Sequence, residues 1–199
     1  MSSLWPYCTP GIPDHLFQQL PGIPMSKREV RLLLLGYLRL TPDAVLWDIG
    51  AGTGTIAVEV GLLCPRGRIV AVERDAEVAD LIRKNCQRFG VTNVDVVEGQ
   101  APACLANLPH APDCVFVEGG RPLKETLKAA WKHLPVSGRL VVTASNFEHL
   151  YTTSETFAEL RMGNVETAQP AVNCLETRGN HQVFVAMDPI FIISGEKLE

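Results

Sequence analysis

The sequence predicts a doubly wound α/β fold, a mostly parallel sheet with helices on both faces, and three observations carry that prediction. From Val45 onward, short apolar runs alternate with stretches of helical periodicity, the pattern of strands joined by helical crossovers. A glycine-rich segment, Gly50-Ala51-Gly52-Thr53-Gly54, follows the first apolar run and opens the first helical stretch after it. The 199 residues, 46% hydrophobic and 20% charged, have the composition of one ordinary domain. A chain of this length buries roughly 70% of the surface its unfolded form exposes, enough for a full core without staples.

Taken in order, residues 1–24 are rich in Pro and Gly and read as an irregular arm, Gly11-Ile12-Pro13-Asp14 being its most turn-like piece. A helix is expected from Ser26, where Ser26-Lys27-Arg28-Glu29 fits a capping box: the serine hydroxyl accepts from a first-turn amide and Glu29 reaches back. It should run to about Leu40, because Thr41 precedes Pro42 and the residue before proline avoids the helical region. Strands are expected at 45–49, 68–73, 94–98, 113–117 and 139–144, with helices at 55–63, 76–89, 102–108 and 122–134 between them. A further helix near 147–160 and two apolar runs, 165–171 and 182–193, follow.

Charge and composition exclude several classes. The 18 Lys+Arg against 22 Asp+Glu leave a net charge of −4, the opposite of the basic balance of nucleic-acid binders. The aliphatic run Leu32 to Leu35 falls far short of the ~20 residues that span a bilayer, so no membrane segment is expected. Residues 1–13 contain no Lys or Arg, which speaks against a secretory leader and for the cytoplasm. Cys8, Cys64, Cys86, Cys104, Cys114 and Cys174 form no Cys-x-x-Cys pair, and the five histidines are scattered. Reduced structural thiols and no metal are expected.

The strongest chemical signal is Asp48-Ile49-Gly50-Ala51-Gly52-Thr53-Gly54 between a strand and a helix. Alternate glycines let the backbone turn tightly and approach a ligand closely, and the helix start offers free amides to a negative group. The dinucleotide fingerprint Gly-x-Gly-x-x-Gly fails because its last glycine falls on Thr55, which disfavours NAD. S-adenosylmethionine, with no pyrophosphate to cradle, suits such a loop. Glu73, 19 residues after Gly54 at the second strand end, can accept from both ribose hydroxyls. Glu98-Gly99-Gln100-Ala101 ends the third strand as a turn able to face an adenine edge. Ser26 reads either as a helix cap or as a contact to the ligand carboxylate.

Together, Gly11 to Asp14, Met25 to Arg31, Trp47 to Gly54, Glu98 to Pro102 and Asp188-Pro189-Ile190-Phe191 resemble the decarboxylating subunit of precorrin-6Y C5,15-methyltransferase over nearly the whole chain. The resemblance implies a seven-strand class I methyltransferase (Rossmann-like) sheet, the terminal strand pair distinguishing it from the six-strand dinucleotide form. It also implies S-adenosylmethionine-dependent methylation of C15 of a tetrapyrrole, with decarboxylation of the ring C acetate, in cobalamin biosynthesis. C5 methylation would then belong to a separate subunit, for which this chain is too short, and the assembly implied is a homotetramer.

The expected cofactor set is Ser26, Asp48, Gly50, Ala51, Gly52, Thr53, Gly54, Glu73, Gln100 and Ala101. Two departures stand out. Gln100 replaces a usual acidic residue, and the loop after the fourth strand reads Glu118-Gly119-Gly120-Arg121-Pro122 in place of a Gly-Gly-Ser-Gly-Gly-like segment. An anionic tetrapyrrole calls for a local cluster of cations, with Lys27, Arg28, Arg31 and Arg121 as candidates. Asp14, Glu118 and His149 are conceivable general acids, each with a plainer structural role, and none is assigned. Competing readings are a methyltransferase acting on tRNA or protein and a non-catalytic cofactor-binding subunit.

Overall fold

The computed structural model describes residues 4–199. Five helices, α1 (Arg28–Leu38), α2 (Thr55–Leu63), α3 (Ala76–Phe89), α4 (Leu123–His133) and α5 (Phe147–Glu159), accompany nine strands among these residues. The strands are β1 (Val45–Ile49), β2 (Arg68–Glu73), β3 (Val94–Glu98), β4 (Cys114–Glu118), β5 (Arg139–Ala144), β6 (Gly163–Ala168), β7 (Asn173–Arg178), β8 (His181–Ala186) and β9 (Phe191–Glu196). Seven form one sheet of order β3-β2-β1-β4-β5-β9-β6, and β7 and β8 make a separate hairpin. β1 to β5 are parallel, whereas β9 runs antiparallel to both β5 and β6. The winding reverses between β1 and β4, which opens a crevice at the strands' carboxyl ends.

The inner strands are apolar on both faces because helices cover both. Ile69 and Ala71 of β2 join Leu46, Phe116 and Val141 against α1, α2 and α3, through Leu34, Leu38, Ile56, Ile82 and Phe89. Val70 and Val72 point the other way, with Trp47, Val117 and Val142, onto Leu123 and Leu127 of α4 and Phe157 of α5. α2 is buried from Thr55 through Gly61, so its sequence is apolar nearly all round. Its one charge, Glu59, is fully buried, and its partner is Arg31 of α1, whose Nε donates to Glu59 Oε1 at 2.8 Å.

That pair fastens the arm. Gly11 N donates to the second oxygen of Glu59 at 2.6 Å, and the Arg31 guanidinium donates to Asp14 Oδ1 at 2.8 Å and to the carbonyls of Ile12 and Ser26. Farther along the arm, Asn85 of α3 holds both backbone groups of Gln18 and donates to Thr53 O of the glycine loop. Ile12 and Phe17 are buried in the core. The arm is thus built into the fold from Gly11 onward and roofs the glycine loop.

Four sequence expectations are corrected. Ser26 does not cap α1: Lys27 occupies the cap position in an extended conformation, and Asp14, brought back by the arm, accepts from the Arg28 amide at 3.1 Å. α1 ends at Leu38, with Arg39 left-handed at φ 49°, short of Leu40. The helix expected at 102–108 is a single 3-10 turn, Leu105–Asn107, because Pro102, Pro109 and Pro112 leave room for no more. The two terminal runs give way to four strands: β6 overlaps the first run, β8 and β9 overlap the second, and β7 lies between the runs. Gly179-Asn180, a two-residue hairpin turn with Gly179 at φ 61°, separates β7 from β8, and the run at 182–193 breaks after Ala186 before Pro189.

Candidate active site

A cleft of about 610 Å³ opens over the carboxyl ends of β1 to β4. Its floor is the glycine loop, whose shape requires glycine: Gly50, Gly52 and Gly54 have φ of 77°, 52° and 78°. A Cβ on Gly54 would lie 2.8 Å from Ile82 Cγ2, so the loop also sits tightly on α3. The amides of Gly50 and Ala51 donate to Val72 O at 3.0 and 3.1 Å, which ties the loop to β2.

Glu73 terminates β2 with its carboxylate fixed. One oxygen accepts from the Arg74 and Asp75 amides at 2.8 and 3.2 Å, and the other from Gly52 N at 3.2 Å. It lines the cleft with Gly50, Gly52, Gly99, Gln100 and Ala101, so the expected loop, ribose and adenine positions converge on one space. This geometry fits S-adenosylmethionine: a volume within the range of small-ligand sites, a floor with no side chains, and a positioned carboxylate on one wall. Asp48, Ala51, Thr53 and Gly54 do not line that space. Asp48, at the end of β1, and Thr53, within the loop, are both buried, and Thr53 donates to Pro24 O of the arm at 3.4 Å.

Among the described residues, neither carboxylate oxygen of Asp48 has a hydrogen-bond partner. Burial pushes its pKa up to about 8, with the Glu118 and Glu73 charges adding to the rise. An aspartate raised from 3.8 to about 8 binds a proton in the folded state that the unfolded chain has already lost. Its contribution to stability is therefore fully present below pH ~4 and declines as pH rises toward 8, with a slope on the order of 1 kcal/mol per pH unit. Asp48→Asn should remove that slope. Urea denaturation from pH 5 to 8 checks it, and an identical pH dependence in both proteins would refute a protonated Asp48.

A second cavity, of about 770 Å³, lies between the arm, the start of α1 and the β7–β8 hairpin. Lys27 and Arg28 line it, as do Asp14, Glu176 and Asp188. Ser26 belongs to this wall rather than to the first cleft, and its hydroxyl donates to Glu118 Oε1 at 2.7 Å. Glu118 and Pro24 line both cavities. Burial raises the Glu118 pKa, and the Ser26 hydrogen bond offsets part of the rise.

The four expected substrate cations do not form one cluster. Arg31 is corrected outright: it is fully buried, its guanidinium is consumed by Glu59, Asp14 and two carbonyls, and it lines neither cavity. Arg121 stands at the first cleft and pairs with Glu148 at 2.7 Å. Lys27 and Arg28 alone reach the second cavity. The sequence reading missed Glu59 and Asn85 as anchors of the arm. A single carboxylate inside the otherwise apolar Thr55–Leu63 segment is the signal that a buried cation must meet it.

The strand order, the reversed β9 and the glycine-floored cleft together define a class I, Rossmann-like methyltransferase fold. The precorrin methyltransferase domain matches residues 19–196, and the chain belongs to that family. It is 39% identical over 192 residues to a probable cobalt-precorrin-6B C(15)-methyltransferase (decarboxylating) of Pyrobaculum calidifontis, covering 96% of this chain and 97% of that one. Among solved structures, precorrin-6Y C5,15-methyltransferase of Geobacter metallireducens superposes with a TM-score of 0.88 at 35% identity, over 94% of this chain and 98% of that one. The C-terminal domain of precorrin-6Y C5,15-methyltransferase of Rhodobacter capsulatus gives 0.83 at 29% identity, over 96% and 99%.

Proposed function

We propose that this chain methylates C15 of a precorrin or cobalt-precorrin and releases the ring C acetate carboxyl as CO2. The observation that carries the reading is the pair of cavities sharing one wall at the end of β4, one shaped for the cofactor and one large enough to receive a substrate edge. Bound S-adenosylmethionine would supply the methyl as a cation equivalent, the bonding pair staying on sulfur. Gly50, Gly52, Glu73, Gln100 and Ala101 would hold it. Lys27 and Arg28, and Arg121 at the rim, would meet substrate carboxylates. Alignment across the shared wall contributes several kcal/mol, since an enamine-like ring carbon is already nucleophilic.

A separate protein or domain would carry out C5 methylation, in keeping with the match of this chain to the C-terminal domain of the Rhodobacter protein. Exposed Leu175 and Phe184 on the hairpin support a homo-oligomer, with the tetramer implied by resemblance as the proposed state. No helix among the described residues is long and apolar enough to cross a membrane, and the proposed location is the cytoplasm. Incubation with methyl-labelled S-adenosylmethionine and precorrin-6B or its cobalt form tests the activity. Label in the tetrapyrrole with loss of CO2 is expected; cofactor binding without turnover would favour a supporting subunit instead.

A further inference from the structure

We infer that Glu118 is the proton-transferring residue of the reaction, taking the proton that leaves C15 and supplying the one that the ring C methylene takes up. The inference rests on the C15 methylation and decarboxylation proposed above. Replacing hydrogen by methyl at C15 releases one proton. Breaking the bond to the departing CO2 leaves its electron pair on the arm carbon, and one proton converts that carbon to a methyl group. The two protons cancel, so a single carboxyl that accepts one and donates one is returned to its starting state, with no oxidant, reductant or further co-reactant.

Position selects Glu118: among the described residues it is the one carboxyl or imidazole group that lines both cavities, Glu73 and Asp75 lining the first alone and His15, Glu29, Glu176 and Asp188 the second alone. Asp14 lines only the second cavity and is engaged by Arg31, by the Arg28 amide and by Lys27 at 3.9 Å. His149 lines neither cavity, its ring lying over Gly119. Glu118 lines both, at the end of β4 where the winding reverses. Ser26 fixes one oxygen at 2.7 Å, and among the described residues no protein donor reaches the other. Burial shifts its pKa upward, in the direction that favours the protonated form a proton donor needs.

The test compares wild type, Glu118→Gln and Glu118→Asp for S-adenosylmethionine affinity by calorimetry, melting temperature, KM for the precorrin and single-turnover rate. Glu118→Gln should melt close to wild type and bind the cofactor within threefold, yet react about 100-fold slower or worse. Glu118→Asp, which keeps a carboxyl, should recover part of that rate. A Gln variant within threefold of the wild-type rate would overturn the inference. So would a rise in KM at unchanged rate, a loss of cofactor affinity that accounts for the rate, or an Asp variant no faster than Gln. A wild-type protein inert toward precorrin would instead refute the functional reading, and the inference would fall with it.

Discussion

Arg31→Met should destabilise the fold by ~3–5 kcal/mol, the cost of stranding a buried charge without its partner. Glu59 is fully buried and depends on Arg31 for a counter-charge, and the same guanidinium holds Asp14 and two arm carbonyls. The arm therefore loosens together with the pair, and residues 11–25 should become the first site of limited proteolysis. Removing both charges in Arg31→Met/Glu59→Met should be less harmful than the sum of the single changes, because an apolar pair replaces an ionic one without leaving a bare charge. Urea denaturation of the four proteins of this cycle measures it. A single-variant loss under ~1 kcal/mol, or strict additivity, would show that the pair does not anchor the arm.

Glu73→Ala should weaken S-adenosylmethionine binding by ~1.5–3 kcal/mol, roughly 10- to 100-fold, the worth of hydrogen bonds to a charged acceptor. The carboxylate is held by the amides of Gly52, Arg74 and Asp75, so it is positioned before any ligand arrives. Glu73→Gln keeps the shape and one acceptor oxygen, and should fall between wild type and alanine. Calorimetry reads the affinities, and the melting temperature separates a loosened glycine loop from a lost contact. An unchanged affinity in the alanine variant would remove Glu73 from the cofactor site.

What the sequence made legible follows from the range of the interactions involved. β1 (Val45–Ile49), β2 (Arg68–Glu73) and α3 (Ala76–Phe89) have the bounds expected of them, because apolar periodicity and local caps such as Asp75 decide them within a few residues. The glycine loop and Glu73 are likewise readable, since strand, turn and helix adjoin in sequence. Ser26 is not, because its partner Glu118 lies 92 residues away and a local capping pattern gives no hint of it. Arg31 sits in a stretch of cations that read as substrate-binding candidates, and its turn inward depends on Glu59, 28 residues away, and on Asp14 of the arm. The β7–β8 hairpin is not legible either, because β7 (Asn173–Arg178) is mostly polar and exposed and lies between the two apolar runs.

The most direct test of the account is the ratio of CO2 released to methyl transferred in a single turnover of the purified protein with precorrin-6B or its cobalt form. The shared wall between the two cavities predicts a ratio of about one, with both events lost together in Glu118→Gln. Methyl transfer without CO2, or CO2 release that proceeds without the cofactor, would contradict it.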